Sequence, residues 1–198
     1  GWFNKKKDNL ASVRKAGTEA AELTMYELNL PFLLSRFHES DGVKFPQGFF
    51  KDPYIYGFCS SSFVFFVDYF TAKRKEKMNE TEKQEFILSA YAQLYGDKAA
   101  DIISSGRLIR GQNGCSTGEK AGRALMISIS LPSAFTQAVD QTEPFVVEAL
   151  EIAQEREQFV ADGSLLFSDQ EVGVKSSALI LALRSVTVEA YIKKTFLS

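Results

Sequence analysis

The sequence predicts an all-α fold, an irregular single-domain bundle of about seven helices. Apolar residues recur at three- and four-residue spacing along most of the 198 residues, which is the period of a helix. Ser, Asp or Asn precedes most of these segments, and Gly or Pro follows them, as at helix ends. The hydrophobic content of 45% and charged content of 24% exclude a collagen-like, low-complexity or wholly disordered chain.

The first predicted helix begins at Asp8 and carries one apolar or small stripe, formed by Leu10, Val13, Gly17, Ala20, Thr24 and Leu28. Pro31 has no amide proton to donate, so it should kink or restart the helix, with Asn29 as a cap. Turn residues cluster between positions 40 and 53 and predict a loop. The Asp52-Pro53 pair then predicts a helix cap and first turn.

The segment from Tyr54 to about Lys73 predicts a central helix, because apolar and aromatic residues surround its whole circumference. Its most apolar run, of about 17 residues, is at the short limit for a bilayer span. Three serines and Asp68 interrupt that run, so we expect a buried helix. Asp68 should form an ion pair or lie on a strip that faces solvent.

Three further helices are predicted by capping patterns. Asn79 followed by Glu82 should begin one that ends at Gly96, and a short helix should follow from Asp97. The sequence Ser116-Thr117-Gly118-Glu119 should open another, after the glycines from Gly106 onward have interrupted the chain.

The last third of the chain continues the pattern. Pro132 should end the preceding helix, and Pro144 should break or restart the next. Ser168 with Glu171 predicts a capping box before a final helix whose middle, Ala178 to Ile192, is mostly apolar. The β-branched residues at 127–131 and 186–192 permit strands, but segment length and caps favour helices. Residues 1–7 are expected to be a flexible segment.

Charge is uneven although the formal net charge is only −2. Residues 1–123 carry a net charge of +3, residues 124–171 carry −8 and the remainder carries +3. Basic residues are diluted by acidic ones almost everywhere, which argues against nucleic-acid binding. An acidic helix face formed by Glu148, Glu151 and Glu155 is the best candidate for a basic protein partner. These glutamates lack the histidines of a di-iron bundle.

Aromatic crowding is the most unusual feature of the sequence. Eleven of the 25 Phe, Tyr and Trp residues lie between Phe45 and Phe70. Ordinary core packing explains most of them, since large rings bury large apolar areas. The loop rings could instead form a ligand or partner surface, for which the candidates are Phe45, Phe49, Phe50 and Tyr54. A closed cavity there would suit an apolar small molecule or lipid, and an exposed patch would suit a protein.

The glycine-rich stretch 111–120 is similar in composition to a phosphate-binding loop, but its spacing is wrong. Gly114 and Gly118 are four residues apart, and Lys120 comes one residue late. A weaker anion site could use a helix N-terminus with nearby cations and hydroxyls, namely Arg107, Arg110, Ser116, Thr117, Lys120 and Arg123. Glu119 argues against that site, because as a capping-box residue it would occupy the same amides.

The sequence gives little support for a metal site, a disulfide bond or a catalytic nucleophile. The two cysteines and single histidine cannot form a zinc site, and no cofactor is predicted. Cys59 is interpreted as a small core residue, whereas Cys115 is the better candidate for a reactive thiol. His38 could act as a base beside Glu39 and Asp41, but a loop position explains these residues equally well.

The N-terminal residues give the evidence on where in the cell the protein is located. No apolar segment follows the first charged residues, which predicts no secretory signal and a cytoplasmic protein. Trp2 and Phe3 beside three lysines could form a weak anchor for an anionic bilayer, and a frayed terminus is the favoured alternative.

These observations predict a non-catalytic helical protein-interaction module. A binder of an apolar small molecule or lipid in an aromatic pocket is the first alternative. An enzyme with a polar site that the sequence does not reveal is the second, because active sites are assembled in space.

Overall fold

Helices make up nearly all of the described chain, which confirms the predicted all-α fold class. The computed structural model describes residues 2–35, 38–39, 42–74, 76–159 and 171–198, and the side chains of 9–35, 42–74, 76–156 and 177–198. The helices in chain order are α1 Trp2–Leu33, α2 Pro53–Lys73, α3 Glu80–Tyr95, α4 Ala99–Arg110, α5 Cys115–Ser130, α6 Phe135–Ala138, α7 Pro144–Phe159, α8 Glu171–Arg184 and α9 Ala190–Phe196. Seven of these described helices have twelve or more residues, the number expected.

Short elements connect the helices. Strands β1 His38–Glu39 and β2 Gly42–Val43 pair antiparallel, with His38 opposite Val43. The 3₁₀ turns are Phe49–Lys51, Gly96–Lys98 and Pro132–Ala134, and a π turn at Ser185–Glu189 joins α8 to α9.

The chain divides into two compact units, Gly1–Glu119 and Lys120–Ser198, with the boundary inside α5. The single-domain organisation and the flexible segment 1–7 stay predictions, although the helical backbone of α1 already begins at Trp2.

Two predicted helix caps are confirmed at the atomic level. The Asp52 Oδ1 atom accepts hydrogen bonds from the Tyr54 and Ile55 amides at 3.0 and 3.1 Å, and Pro53 is the first residue of α2. The Asn79 Oδ1 atom accepts from the Glu82 amide at 2.9 Å and so caps α3. These caps satisfy amide protons that a helix start would otherwise leave unpaired.

Three predicted helix boundaries are wrong. The first helix does not restart at Pro31, because α1 continues to Leu33, and Asn29 is therefore not a cap. Near the end of a helix the missing proline amide removes only one hydrogen bond, so the helix tolerates it. The fifth helix begins at Cys115, one residue before the predicted cap Ser116, and Gly106 lies inside α4 instead of interrupting it.

The core of the first unit is built around α2, as predicted. Side chains on several sides of this helix are buried, among them Ile55, Phe58, Cys59 and Phe63. Asp68 and Val64 are exposed, so the charge lies on the solvent-facing strip expected for it. Within the described chain, α2 is the one helix long and apolar enough to cross a bilayer, and half of its most apolar window is buried in protein.

Glycines let the start of α5 approach α2 closely and let α1 approach α3 closely. A Cβ atom at Gly57 would fall on the Cys115 carbonyl oxygen, and one at Gly118 would fall on the Tyr54 carbonyl oxygen. These two positions bring α2 and the start of α5 into backbone contact. A Cβ at Gly17 of α1 would likewise meet the backbone of Phe86 in α3. Gly118 thus serves helix packing, a structural role for part of the glycine-rich stretch.

An ion pair ties the end of α2 to the start of α3. The Arg74 Nη1 atom lies 2.8 Å from Glu82 Oε2, and both side chains are largely shielded from solvent. The Arg74 guanidinium also lies over the Phe70 ring, 5.6 Å from its centre. Partial burial makes this pair less screened than the exposed pairs on the surface.

The second unit packs α7 against α8 and the π turn. Its buried apolar side chains include Val146, Ala149, Ala153, Ala182, Leu183, Val188 and Ile192. Residues 127–130 lie in α5, and residues 186–192 lie in the π turn and α9. Both segments are therefore helical and not strands, as their length and caps predict. The predicted cap residue Ser168 lies outside the described residues.

The Gly118→Ala substitution should destabilise the protein, because the new methyl group would overlap the Tyr54 carbonyl. Overpacking of this kind costs about 1–3 kcal/mol or more. Gly111→Ala is the matched control, since its Cβ would meet only the Leu108 carbonyl oxygen, at 3.6 Å, and its φ of −79° suits alanine. We expect the control to be neutral or slightly stabilising. Equal urea midpoints for both variants would contradict the packing role of Gly118.

Candidate functional site

An aromatic cleft in the first unit contains three of the four residues predicted as a ligand or partner surface. The cleft has a volume of about 390 Å³ and is partly open to solvent. Its lining comes from the loop before α2 and from the start of α4, namely Phe45, Pro46, Gln47, Gly48, Phe49, Phe50, Lys51, Lys98, Asp101 and Ile102.

The loop side of the cleft is a tight turn. The Phe49 amide donates to the Pro46 carbonyl oxygen at 3.1 Å, and the Lys51 amide donates to the Gly48 carbonyl oxygen at 3.0 Å. Gly48 has a φ of 77°, a left-handed conformation that glycine adopts without strain. The turn leads directly into the Asp52 cap, so the start of α2 fixes one end of the loop.

Aromatic contacts hold the loop rings in place. The Phe45 and Phe49 rings stack at 4.7 Å with an interplanar angle of 16°, and Phe49 also meets Phe32 edge-on at 5.5 Å. Phe50 makes edge contacts with Phe45 at 5.0 Å and with Tyr95 at 5.2 Å. Such edge and offset arrangements are the favoured geometries for ring pairs. The cleft wall is therefore continuous with the packed interior.

The four predicted surface residues differ in their accessibility. Phe49 is buried and Tyr54 is almost fully buried in α2, so neither offers much area to a ligand. Phe45 and Phe50 are half-buried and leave ring area free at the cleft. The available apolar surface of the site thus comes mainly from these two rings.

The rim of the cleft is charged. The Lys51 Nζ atom lies 2.5 Å from Asp101 Oδ2 and joins the loop to α4. Both side chains are substantially exposed, so solvent weakens this pair. Lys98 is also exposed and forms no ion pair with any residue that the structure describes. The rim therefore carries one more positive than negative charge.

Sequence reasoning did not find the α4 side of the site. Lys98, Asp101 and Ile102 stand about fifty residues after the aromatic loop, and their spacing is that of an ordinary first helical turn. Ile102 is buried and closes the cleft from behind. No local pattern links these residues to Phe45 or Phe50, because the link is made by folding.

A second polar group lies between α2, α3 and α4. The Arg110 Nη2 atom donates to the Tyr56 Oη atom at 3.3 Å, and the guanidinium lies 5.9 Å from the Tyr56 ring centre. The Tyr95 Oη and Ser60 Oγ atoms are buried without a hydrogen-bond partner in the described part of the chain. Burial raises the pKa of Tyr91, which stacks on Tyr95, to about 12. The Tyr91 hydroxyl is therefore neutral at physiological pH.

The structure distributes the predicted anion-site residues over both units. Arg107, Arg110, Ser116 and Thr117 are exposed in the first unit. In the second unit the Lys120 Nζ atom pairs with Glu143 Oε1 at 2.6 Å, and the Arg123 Nη1 atom donates to the Ala138 carbonyl oxygen at 2.5 Å. The anion site stays a prediction, with two of its cations already partnered.

The thiols are not activated. Burial raises the pKa of Cys59 to about 12, in agreement with a small core residue. Burial and then the Glu119 carboxylate raise the pKa of Cys115 to about 11. Its Sγ atom donates to Glu119 Oε1 at 3.6 Å, so Glu119 accepts from the thiol. A reactive thiol needs a lowered pKa, and the structure does not support Cys115 as one.

The side chains of the remaining candidates all lie outside the described part of the chain. These are His38, Glu39 and Asp41 together with Trp2 and Phe3 at the N-terminus. Within the described residues, no group of three or more His, Cys, Asp and Glu side chains could hold a metal ion.

Comparisons with protein-family models, with curated proteins and with solved structures found no match for this chain.

Stability should decrease at alkaline pH because of the buried thiol. The Cys59 pKa is about 12 in the folded protein and 9.0 ordinarily, so the neutral thiol is favoured by folding. Its contribution is complete below about pH 9 and declines as the pH rises from 9 towards 12. The urea midpoint of the wild type should fall over this range, and that of Cys59→Ala should fall less steeply. Parallel pH profiles for the two proteins would contradict this role of Cys59.

Proposed function

We propose that this protein is a non-catalytic protein-interaction module that receives an apolar side chain of its partner in the aromatic cleft. The observation that supports this most is a partly open cleft of about 390 Å³ whose walls carry half-buried phenylalanine rings. Clefts that bury an aromatic or aliphatic anchor are typical centres of protein interfaces.

The cleft walls are organised before any partner binds. Phe45 and Phe50 each contact Phe49, and Phe50 also contacts Tyr95, so their rings are held on more than one side. Ordering a free side chain on binding costs about 0.5–1.5 kcal/mol. Rings that are already ordered avoid most of this cost and so favour binding.

The chemistry of the lining supports binding over catalysis. Its ionisable side chains are Lys51, Lys98 and Asp101, and each is exposed to solvent. Lys51 and Asp101 neutralise one another. Catalytic acids and bases are usually found where burial or a close charge perturbs their pKa, and this rim offers little burial.

Selection of short random peptides displayed on phage, with the whole protein as bait, tests this function. Gln47→Trp should block the cleft without removing a core contact, because Gln47 is an exposed lining residue. We expect the selected peptides to bind this variant and Phe50→Ala at least tenfold more weakly than the wild type. Leu108→Ala, which removes an exposed apolar side chain outside the lining, should bind normally.

Circular dichroism and urea midpoints establish that the cleft variants fold. Peptides that bind wild type and a folded Gln47→Trp variant equally would contradict a role for the cleft. A library that yields no enriched peptide at all would contradict the interaction function itself.

An apolar small molecule is the second candidate, and the volume of the cleft favours it. Small-molecule sites typically measure about 300–1,000 Å³, a range that includes this cleft. Native mass spectrometry of gently purified protein should then show a co-purifying adduct. The adduct should be absent from the Gln47→Trp variant, whereas an adduct of equal abundance in that variant would place the ligand elsewhere.

The acidic face of α7 belongs to the proposal as a separate surface. Glu148, Glu151 and Glu155 are all exposed in the second unit, which supports the expectation of a basic partner there. Attraction of this kind steers association and weakens with salt.

A further inference from the structure

We infer that the occupant of the aromatic cleft is an acidic peptide segment, in which an Asp or Glu lies close to the apolar anchor. This inference rests on the proposed function and specifies the partner of the same site. It follows from the charges of the rim and from their position relative to the apolar lining.

The cleft combines an apolar interior with a positive rim. Phe45 and Phe50 supply the apolar walls, and Ile102 supplies a buried aliphatic surface. Lys51 and Lys98 stand at the same opening against a single carboxylate, that of Asp101. A peptide with only an apolar anchor would complement the apolar interior of the cleft. A peptide that also carries an acidic residue next to the anchor would complement the positive rim as well.

Lys98 is the residue that favours a negatively charged ligand. It forms no ion pair with a described residue, so its ammonium group can approach a ligand without giving up an existing partner. Lys51 can contribute as well, because its pair with Asp101 is exposed and weak. A basic peptide would instead meet Lys98 as a like charge.

The helical geometry sets how far the charge lies from the anchor. Lys98 and Ile102 are four residues apart across the start of α4, which places them on one side of the helix about 6 Å apart along its axis. The carboxylate of the ligand must therefore lie within a few ångströms of the anchor side chain. Neighbouring residues of an extended peptide meet this condition.

A peptide fits the cleft better than a small apolar carboxylate does. The cleft is partly open, so a ligand can continue beyond its rim. Sites that enclose small molecules usually bury most of the ligand surface, which an open cleft of this kind does not do.

Phage selection on the wild type and on Lys98→Glu tests the inference. Wild-type selections should enrich Asp or Glu within about three positions of an aromatic or aliphatic residue. A synthetic peptide of this pattern should bind Lys98→Glu roughly tenfold more weakly, and replacing its acidic residue by Lys should restore binding to that variant. Lys77→Glu is the charge-matched control, because Lys77 is exposed and lies outside the cleft lining.

The outcomes separate the inference from the proposed function. Peptides that require an open cleft at Gln47 but show no acidic preference, and that bind Lys98→Glu normally, would overturn the inference and leave the function standing. Failure to select any peptide sensitive to Gln47→Trp would overturn both. Displacement of the peptide by dodecanoate, with equal sensitivity to Lys98→Glu, would identify a small carboxylate as the occupant and would also overturn the inference.

Discussion

The close approach of α2 to the start of α5 is the constraint on which the first unit depends. At Gly57 and Gly118 the two helices meet backbone to backbone, and no side chain fits between them. Gly106 of α4 makes room for the Tyr56 hydroxyl group, which is a contact with a side chain and not with the backbone. Three glycines on three helices thus fix how α2 lies among its neighbours, at the entropic cost that glycine brings to a helix. Larger residues at Gly57 or Gly118 would force the two backbones apart.

The packing of α2 against its neighbouring helices determines the shape of the cleft. Its loop ends at the Asp52 cap of α2, and its opposite wall is the first turn of α4. Both helices are positioned by glycine contacts, so the separation of Phe50 from Lys98 is set by the core and not by the loop alone. The packing of the helices therefore positions both walls of the cleft. This explains how a loop without an unusual sequence pattern presents ordered aromatic rings to solvent.

Local chemistry explains which parts of this structure the sequence could predict. Asp52 and Asn79 act on amides two or three residues away, so their patterns revealed the start of α2 and α3. The packing role of Gly118 could not be predicted, because it depends on a carbonyl more than sixty residues earlier in the chain. The α4 side of the cleft was missed for the same reason, since nothing near Lys98 in sequence indicates that Phe50 folds against its helix. A local pattern was not always sufficient, because the expected caps at Asn29 and Ser116 both lie inside helices.

The π turn at Ser185–Glu189 contains one residue more than a regular α-helical turn and lies between α8 and α9 of the second unit. Leu183 and Val188 are both buried although they stand five residues apart, and Ile192 follows at four. In an uninterrupted α-helix, a spacing of five would carry the second side chain off the face of the first. The wider turn absorbs the additional residue and returns the chain to the same face. Removal of one residue within this turn would place Leu183, Val188 and Ile192 at regular spacings of four residues, so the three side chains would stay on one face of the helix.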